Sequence, residues 1–352
     1  MLAAGTAQAG VTVVPPGDSI QAAVDAASPG DTIRLQRGIY QGGVLILNKD
    51  GLSIRGAGPG KTVLVEPATV TLDCGICVVG ELYDENAFVR DTSIRGLSVV
   101  GFYFGVSASA VRGLSLADVA AERARANAIN VYTGYDIDIR AARSNAAGSA
   151  GVYLNAVSAA TIADSDVRDS GGPGFEVFAS GDGRIHHSSA IGNCSGVELR
   201  TGKGEPTVVV GLQAWRVDHV TAVDNTRRCQ AWRSEGAGIF AYGGRGLRID
   251  NNVVRRNGYE GSPTAGGIVI NAHPFDDMDA GNPGGVTVQR NVVTNNAPFD
   301  LRWDGNPVPP ELVSFVENRC VTSEPAGLCR GGASSQEVSA TPAVQPPPGE
   351  RD

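Results

Sequence analysis

Pairs made of a small residue and an apolar residue recur through the middle of the chain at a nearly constant interval. Successive pairs are 23, 23, 23 and 22 residues apart, at Gly105-Val106, Ala128-Ile129, Gly151-Val152, Gly174-Phe175 and Gly196-Val197. A unit of this length cannot bury its apolar face alone and has to stack on its neighbours. The pattern therefore predicts a solenoid.

The pairs continue in the second half of the chain at wider intervals. Gly238-Ile239, Gly267-Ile268 and Pro298-Phe299 follow at steps of 42, 29 and 31 residues, so some coils carry inserted sequence. The insertions at 201–214, 226–237, 258–266 and 272–285 are rich in glycine, proline and charge, as expected of loops that wall a cleft.

Apolar residues inside each unit alternate with polar ones at a spacing of two, which indicates short strands. A second buried strand is predicted to begin at Ile137, Ile162, Ile185, Val217, Ile249 and Val288. Eight residues further on lie Asn145, Ser170, Asn193, Asn225, Asn257 and Asn296. Asparagine tolerates left-handed backbone and its stacked amides bond from coil to coil, so this column predicts a turn of a parallel β-helix.

The N-terminal segment has a characteristic sequence, GDSIQAAVDAA at 17–27 followed by PGDTI at 29–33 and GIY at 38–40. With this opening and the repeat, residues 11–330 resemble the right-handed parallel β-helix proteins of the pectate-lyase-like superfamily. The resemblance implies an all-β, single-stranded right-handed parallel β-helix solenoid. A short helix capped by Asp18 or Ser19 is expected to close its N-terminal end. Activity is not implied, because the superfamily holds lyases, hydrolases, epimerases and non-catalytic proteins.

Signature motifs of the individual families are missing. The segment Trp215-Arg216-Val217-Asp218-His219 is similar to the W-I-D-H signature of pectate lyases, but Arg216 interrupts it. Asp218 also falls at a repeat position assigned to Asp138, Ala163, His186, Asp250 and Gln289, so we interpret it as part of the register. The D-P-H-D signature of mannuronan epimerases and the polygalacturonase motif set are absent. The sequence therefore gives no reason to expect the activities of those families.

The two ends of the chain differ in composition from the repeat. Residues 1–10 are interpreted as the remnant of a signal peptide, with Ala7-Gln8-Ala9 as a cleavage pattern, and residues 331–352 as a disordered Pro/Ser-rich tail. We expect one elongated domain over 11–330, no membrane span, and a secreted or cell-surface protein.

Six cysteines in an exported chain indicate disulfides. We predict Cys320–Cys329, Cys194–Cys229 and Cys74–Cys77, although six cysteines allow fifteen connectivities. A C-x-x-C pair such as Cys74 and Cys77 also serves in redox or metal sites, but no second C-x-x-C motif or nearby histidine supports zinc.

The net charge of −8 and the pI of about 5.1 argue against nucleic acid and anionic membranes as partners. An acidic glycan would also be repelled, unless its site is locally basic or holds a metal. Because only Lys49, Lys61 and Lys203 are present, arginine would have to carry any lysine-type lyase chemistry.

Outward residues of one strand position stack into columns along a β-helix. One predicted column runs Asn130, Tyr153, Glu176, Glu198, Phe240, Val269 and Asp300, and the other runs Tyr132, Asn155, Phe178, Arg200, Tyr242, Asn271 and Arg302. Aromatic rings stack on sugar rings while amides and carboxylates bind hydroxyls, so these columns predict a polysaccharide-binding face. The alternative is an ordinary surface whose aromatic residues are covered by loops.

Glu176 and Glu198 are predicted to be direct neighbours in their column, with their backbones about 4.8 Å apart. Shared burial would split their pKa values and leave one as proton donor and the other as base or nucleophile. Arg200 could neutralise them or bind a substrate carboxylate. The alternatives are a metal that bridges the pair and an exposed pair relieved by Arg200 and solvent.

Further candidates lie in the insertion at 272–285. His273 is a candidate catalytic group, against a role in loop hydrogen bonding. Asp276, Asp277 and Asp279 form an oxygen-rich cluster that could bind Ca²⁺, although their spacing matches no EF-hand and a solvated acidic loop is the alternative.

Two functions remain open from the sequence. The first is an exported polysaccharide lyase or glycoside hydrolase that uses Glu176, Glu198 and Arg200. The second is a non-catalytic glycan-binding, cell-surface or structural protein. Neither the glycan nor the oligomeric state follows from the sequence.

Overall fold

The computed structural model describes residues 9–201, 212–229, 234–262, 264–271, 284–304 and 313–329. Within these ranges the chain is all-β and winds into coils of up to three short strands. Each strand pairs in parallel with the strand at the same place in the next coil. The architecture is a parallel β-helix.

The strands are numbered in chain order. They are β1 (Val11–Val14), β2 (Thr32–Leu35), β3 (Gly38–Gln41), β4 (Val44–Leu47), β5 (Ser53–Arg55), β6 (Thr62–Val65), β7 (Cys74–Val79), β8 (Val89–Arg90), β9 (Ser93–Val100), β10 (Phe104–Arg112), β11 (Ser115–Glu122), β12 (Ile129–Arg140), β13 (Arg143–Asn145), β14 (Val152–Ala163), β15 (Asp166–Arg168), β16 (Pro173–Phe178), β17 (Gly181–His186), β18 (Ser189–Ile191), β19 (Ser195–Arg200), β20 (Gln213–Asp218), β21 (Thr221–Val223), β22 (Ala237–Tyr242), β23 (Arg248–Asp250), β24 (Val253–Arg255), β25 (Gly266–Asn271), β26 (Val286–Gln289), β27 (Val292–Thr294), β28 (Leu301–Trp303), β29 (Val313–Val316) and β30 (Ser323–Glu324).

These strands form three parallel sheets along the helix axis. Sheet 1 contains β4, β7, β10, the first parts of β12 and β14, then β16, β19, β22, β25 and β28. Sheet 2 contains β1, β2, β5, the first parts of β9 and β11, the last parts of β12 and β14, then β17, β20, β23, β26 and β29. Sheet 3 follows sheet 2 in each coil and includes β13, β15, β18, β21, β24 and β27.

The predicted repeat is confirmed in sheet 1 for every pair except the last. The apolar members are paired from coil to coil and are wholly buried, in the order Val106, Ile129, Val152, Phe175, Val197, Ile239 and Ile268. The next partner is Leu301 and not the predicted Phe299, so the register of the last coil was wrong by two residues.

The small residue of each pair has a steric cause. A Cβ added to Gly174 would lie 2.7 Å from the carbonyl oxygen of Gly196 and 3.0 Å from Nδ2 of Asn193. Both distances are shorter than ordinary van der Waals contact. At Gly174 the coils therefore stack this closely only because the residue lacks a side chain.

The asparagine column is confirmed over four coils. Nδ2 of Asn193 donates to Oδ1 of Asn225 at 3.2 Å, Asn225 donates to Asn257 at 2.8 Å, and Asn257 donates to Asn296 at 2.9 Å. The prediction was wrong for Asn145, which does not belong to the column because it is exposed and pairs with Arg168. The strand residue that matches Ile162 is Ile139 and not Ile137, which moves the column two residues on, to the buried Ala147.

A second asparagine column, not predicted from the sequence, lies between sheets 2 and 3. Asn252 donates to Asn291 at 2.9 Å, and Asn291 donates to Asn318 at 2.9 Å. Each of the three also donates to a backbone carbonyl group, so their buried amides are hydrogen-bonded.

The N-terminal segment contains the helix α1 (Ile20–Ala26), and a short 3₁₀-helix follows at Glu85–Ala87. The Ser19 hydroxyl accepts from the backbone N–H of Ala22 and thereby caps α1. Ile20 and Val24 are buried in the core beside β1, β2 and β4. That α1 closes the end of the solenoid stays a prediction.

All three predicted disulfides are present: Cys74–Cys77, Cys194–Cys229 and Cys320–Cys329. The second joins the start of β19 to the insertion that follows β21. Within the described ranges, no helix is long and apolar enough to cross a membrane.

Candidate functional site

Glu176 and Glu198 occupy paired positions on β16 and β19 of sheet 1. The predicted neighbour relationship is therefore correct. Their exposed fractions are 1% and 0%, so the pair is buried and the alternative of a solvent-exposed pair is excluded. Two carboxyl groups in such a position require a proton, a cation or both.

Arg200 supplies the cation. Its Nη2 donates to Oε1 of Glu176 at 2.8 Å, and its Nε lies 3.4 Å from Oε1 of Glu198. The guanidinium group lies over the ring of Phe178, 4.7 Å from the ring centre, and 18% of the arginine side chain is exposed. Arg200 thus connects the buried acids to the edge of the site.

Ser234 completes the environment of Glu198 and was missed by the sequence reasoning. Its hydroxyl donates to Oε2 of Glu198, and its Oγ lies 2.9 Å from Oγ of Ser195. Ser234 is wholly buried, five residues beyond Cys229, whose disulfide fixes the insertion to Cys194. The predicted disulfide was the available signal that this insertion folds back onto β19.

The electrostatics of the pair keep a proton in the site. Burial, reinforced by the charge of Glu198, raises the pKa of Glu176 to about 8, although Arg200 acts in the opposite direction. Burial and the nearby Glu176 also raise the pKa of Tyr153 to about 12, so this phenol is neutral. At neutral pH, Glu176 is therefore predominantly a carboxylic acid that can donate a proton.

The N-terminal half of the two columns forms a face of half-buried side chains. Tyr153 pairs with Glu176, Asn155 with Phe178, Asn130 with Tyr153 and Tyr132 with Asn155, as predicted. Asn130 is held by hydrogen bonds with Asn127 and Ser107, both of 3.1 Å. Rings and amides therefore line one side of the acid pair.

The C-terminal half of the columns differs from the prediction. Phe240 and Tyr242 pair with Glu198 and Arg200 as expected, but they are buried with Ala237 and Val269 as a small apolar cluster. Asn271 pairs with Tyr242 and is half-buried. The described face is therefore closed beyond Glu198 and open toward Tyr153.

Asp300 was wrongly predicted to belong to the first outward column. Val269 pairs with Arg302, and Asp300 is buried, with Oδ1 accepting from Nδ2 of Asn296 at 3.0 Å. Asp300 thus terminates the asparagine column and does not face outward. Arg302 takes its place in the first column and forms an ion pair with Glu324 at 2.8 Å.

Several predicted groups lie outside the described residues. These are His273 and the aspartates 276, 277 and 279, so the predictions of a catalytic histidine and a Ca²⁺ site remain predictions. In the described part of the chain, no three His, Cys, Asp or Glu side chains converge on a metal-binding geometry.

Asp218 belongs to a separate polar cluster on sheet 2. It pairs in register with His186 and Asp250, which supports the interpretation as a repeat position, but the equivalent residue in β12 is Arg140 and not Asp138. The carboxylate is covered and binds Arg184 at 2.6 Å and His219 at 2.8 Å. Burial opposes ionisation, but these hydrogen bonds prevail and lower the pKa of Asp218 to about 2.

Comparison by sequence identifies no relative, since neither a known family profile nor a curated protein matches the chain. Comparison by structure finds proteins of similar fold. The mannuronan C-5 epimerase AlgE4 A-module of Azotobacter vinelandii is similar with a TM-score of 0.62 and 16% identity, over 87% of this chain and 91% of that chain.

Two glycoside-cleaving proteins are also similar in structure. The polygalacturonase of Erwinia carotovora gives a TM-score of 0.55 at 12% identity, over 91% of this chain and 94% of that chain. The catalytic domain of a GH87 α-1,3-glucanase gives 0.61 at 15% identity, over 89% of this chain and 65% of that chain. The chain is therefore a right-handed parallel β-helix protein, as the resemblance implied, and identities this low establish the fold alone.

Proposed function

We propose that this protein binds a polysaccharide along sheet 1 and cleaves its glycosidic bonds at Glu176 and Glu198. The observation that carries the proposal is the pair itself: two buried carboxyl groups in register, of which one retains a proton at neutral pH. Support comes from the fold, which is shared with an epimerase of mannuronan, a polygalacturonase and a glucanase.

The two glutamates take different roles in this proposal. Glu176 donates its proton to the glycosidic oxygen as the bond between that oxygen and the anomeric carbon breaks. Glu198, as carboxylate, either attacks the anomeric carbon or takes a proton from the water that does. Arg200 holds the carboxylate that is ionised at each stage and orients it.

Access to Glu198 requires an exchange of hydrogen bonds. In the structure its Oε2 is occupied by the Ser234 hydroxyl. A sugar hydroxyl that replaces Ser234 would keep the carboxylate satisfied, so the exchange costs little hydrogen-bond energy. The half-buried Asn130, Tyr132, Tyr153, Asn155 and Phe178 would bind the neighbouring sugars, with Phe178 and the tyrosines stacking on their rings.

Burial of the pair also favours a second candidate, a glycan-binding protein without turnover. Both acids are covered, and Arg200 donates to Glu176 and forms an ion pair with Glu198. Tyr153, Phe178 and Asn155 are only half-buried and within reach of a ligand. In this case the glutamates orient Arg200 and the aromatic residues provide the affinity. Both candidates place the protein outside the cell, which three disulfides support.

A polysaccharide panel separates the two candidates. Purified protein is incubated with neutral and uronate-containing glycans, and reducing ends are measured together with the ultraviolet absorbance of unsaturated uronates. New reducing ends without that absorbance are expected for hydrolysis, and absorbance would indicate elimination. Binding without either signal, weakened by Tyr153→Ala or Phe178→Ala, would establish the binding protein.

A further inference from the structure

Three arginines are stacked directly on one another in sheet 2, on the N-terminal part of the solenoid. Arg34 of β2 pairs in register with Arg55 of β5, which pairs with Arg95 of β9, and all three are exposed. Like charges at facing positions of adjacent strands repel. Within the described ranges, none of the three guanidinium groups takes part in an ion pair or side-chain hydrogen bond. The row is therefore an unneutralised positive surface on an acidic protein.

The same sheet shows how stacked arginines are neutralised elsewhere. Arg184 and Arg216 are also neighbours in register, but Arg184 binds Asp218 at 2.6 Å and Arg216 binds Asp250 at 3.1 Å. The fold thus provides carboxylates one coil further on where the arginines serve stability. Arg95 faces Ala117 in the next coil, and the position that matches Asp218, two residues further along that strand, is Val119, so neither position carries a carboxylate.

The arginine row lines a cleft of about 760 Å³. Gly56, Gly58 and Gly96 are among its lining residues, so part of its wall is bare backbone. One carboxylate also lines it, that of Asp118, which pairs with Arg143 at 3.5 Å. The balance of charge in the cleft is therefore positive.

A row of hydroxyl groups runs beside the arginines. Thr32, Ser53, Ser93 and Ser115 pair in register, two residues before each arginine or its equivalent, and are half-buried. Side chains two residues apart on a strand face the same way. The surface thus offers guanidinium and hydroxyl groups repeated at about the 4.8 Å spacing of strands.

We propose that this cleft is a second ligand site, which binds an extended acidic polysaccharide carrying carboxylate or sulfate groups. The arginines bind successive anionic groups through charge-assisted hydrogen bonds, and the hydroxyl row binds sugar hydroxyls. Nucleic acid fits less well, because none of the described residues that line the cleft is aromatic and could stack on bases. The site is on sheet 2 and is independent of the acid pair on sheet 1.

The test compares two triple variants that lose the same charge. Arg34→Ser/Arg55→Ser/Arg95→Ser removes the row, and Arg123→Ser/Arg168→Ser/Arg256→Ser removes three arginines that do not line the cleft. Both are made in the full chain carrying Glu198→Gln, so that no ligand is consumed. Calorimetric titration uses polygalacturonate, dextran sulfate, uncharged dextran and a single-stranded oligonucleotide.

We expect the parent protein, which carries Glu198→Gln alone, to bind polygalacturonate or dextran sulfate and not dextran. The charged glycan that binds more tightly identifies the anionic group that the cleft recognises. Each single Arg→Ser change in the row should weaken binding about tenfold, and the triple change at least about a hundredfold, while the control triple changes it little. The triple variant of the arginine row should melt at a temperature no lower than that of the parent protein, because removing the three arginines relieves their mutual repulsion.

Three results would overturn the proposal: no binding of either charged glycan by the parent, equal affinity of the two triple variants, or tighter binding of the oligonucleotide. Cleavage by Glu176 and Glu198 is measured separately by reducing ends. Failure of the cleft proposal therefore leaves the proposed function untouched, and the reverse also holds.

Discussion

Glu176 and Glu198 face one another on adjacent strands and bind the same guanidinium group, that of Arg200. Two ionised carboxylates against one cation would leave an uncompensated negative charge in a covered site, which is costly. A single bound proton makes the three groups together neutral. The raised pKa of Glu176 is the consequence, and it links the chemistry of the site to the stability of the fold.

The first prediction concerns stability and pH. Because the folded pKa of Glu176 is raised to about 8, above its unfolded value, its contribution is complete below the unfolded pKa. It is lost as the pH rises through the folded value. Stability should fall between about pH 4.5 and pH 8, by about 1 kcal/mol per unit. Glu176→Gln should reduce this dependence of stability on pH, measured by urea unfolding at several pH values. Glu122→Gln, a control at an exposed position, should not reduce it.

The second prediction concerns the asparagine column. Asn225→Ala removes the acceptor of Asn193 and leaves buried groups unsatisfied, each at about 1–3 kcal/mol. Asn145→Ala, at an exposed position, should change stability by no more than about 0.5 kcal/mol. Denaturant unfolding of both variants tests the register, and equal losses would contradict it.

The third prediction concerns the disulfide that fixes Ser234. Removing Cys194–Cys229 as a double Cys→Ser variant should cost roughly 2–4 kcal/mol, because it releases a loop with a sequence separation of 35. It should also reduce any turnover, because Glu198 loses the partner that positions it until a sugar hydroxyl takes the place of Ser234. The same change at Cys320 and Cys329 is the control, and turnover lost equally in both would argue against a role for the insertion.

The fourth prediction concerns acid stability. The pKa of Asp218 is lowered to about 2, so its stabilising contribution is present above the unfolded value near 3.8 and is lost as the pH falls toward 2. Asp218→Asn should destabilise the protein at neutral pH and flatten this acid limb. Thermal unfolding measured from pH 2 to pH 7 tests it, and an unchanged acid limb would contradict it.

Much of the fold was predictable because the solenoid repeats its sequence rules. The small-apolar pairs and the asparagines at 193, 225 and 257 gave the register correctly through the central coils. Errors occurred where spacing varied. Counting eight residues from Ile137 wrongly placed Asn145 in the asparagine column. In the last coil Phe299 was aligned at the position of Leu301, so Asp300 was wrongly predicted to face outward. A shift of two residues preserves strand alternation, so the hydrophobic pattern cannot reveal it.

The site was predictable in its strand residues and not in its insertions. Glu176, Glu198 and Arg200 follow from register alone. Ser234 does not, because contacts between an insertion and a strand carry no periodicity. The burial of Phe240 and Tyr242 was missed for a related reason, since strand alternation assigns a side chain to the outer face without showing whether that face is covered.

Turnover by the acid pair is the central claim, and one measurement tests it most directly. Glu176→Gln and Glu198→Gln preserve side-chain shape, and each should lower the rate of reducing-end release by about 10²–10⁴ on whichever glycan the panel identifies. Circular dichroism should show both variants folded, and Glu122→Gln should retain the parental rate. Full activity in both glutamine variants would contradict the account and place the chemistry elsewhere.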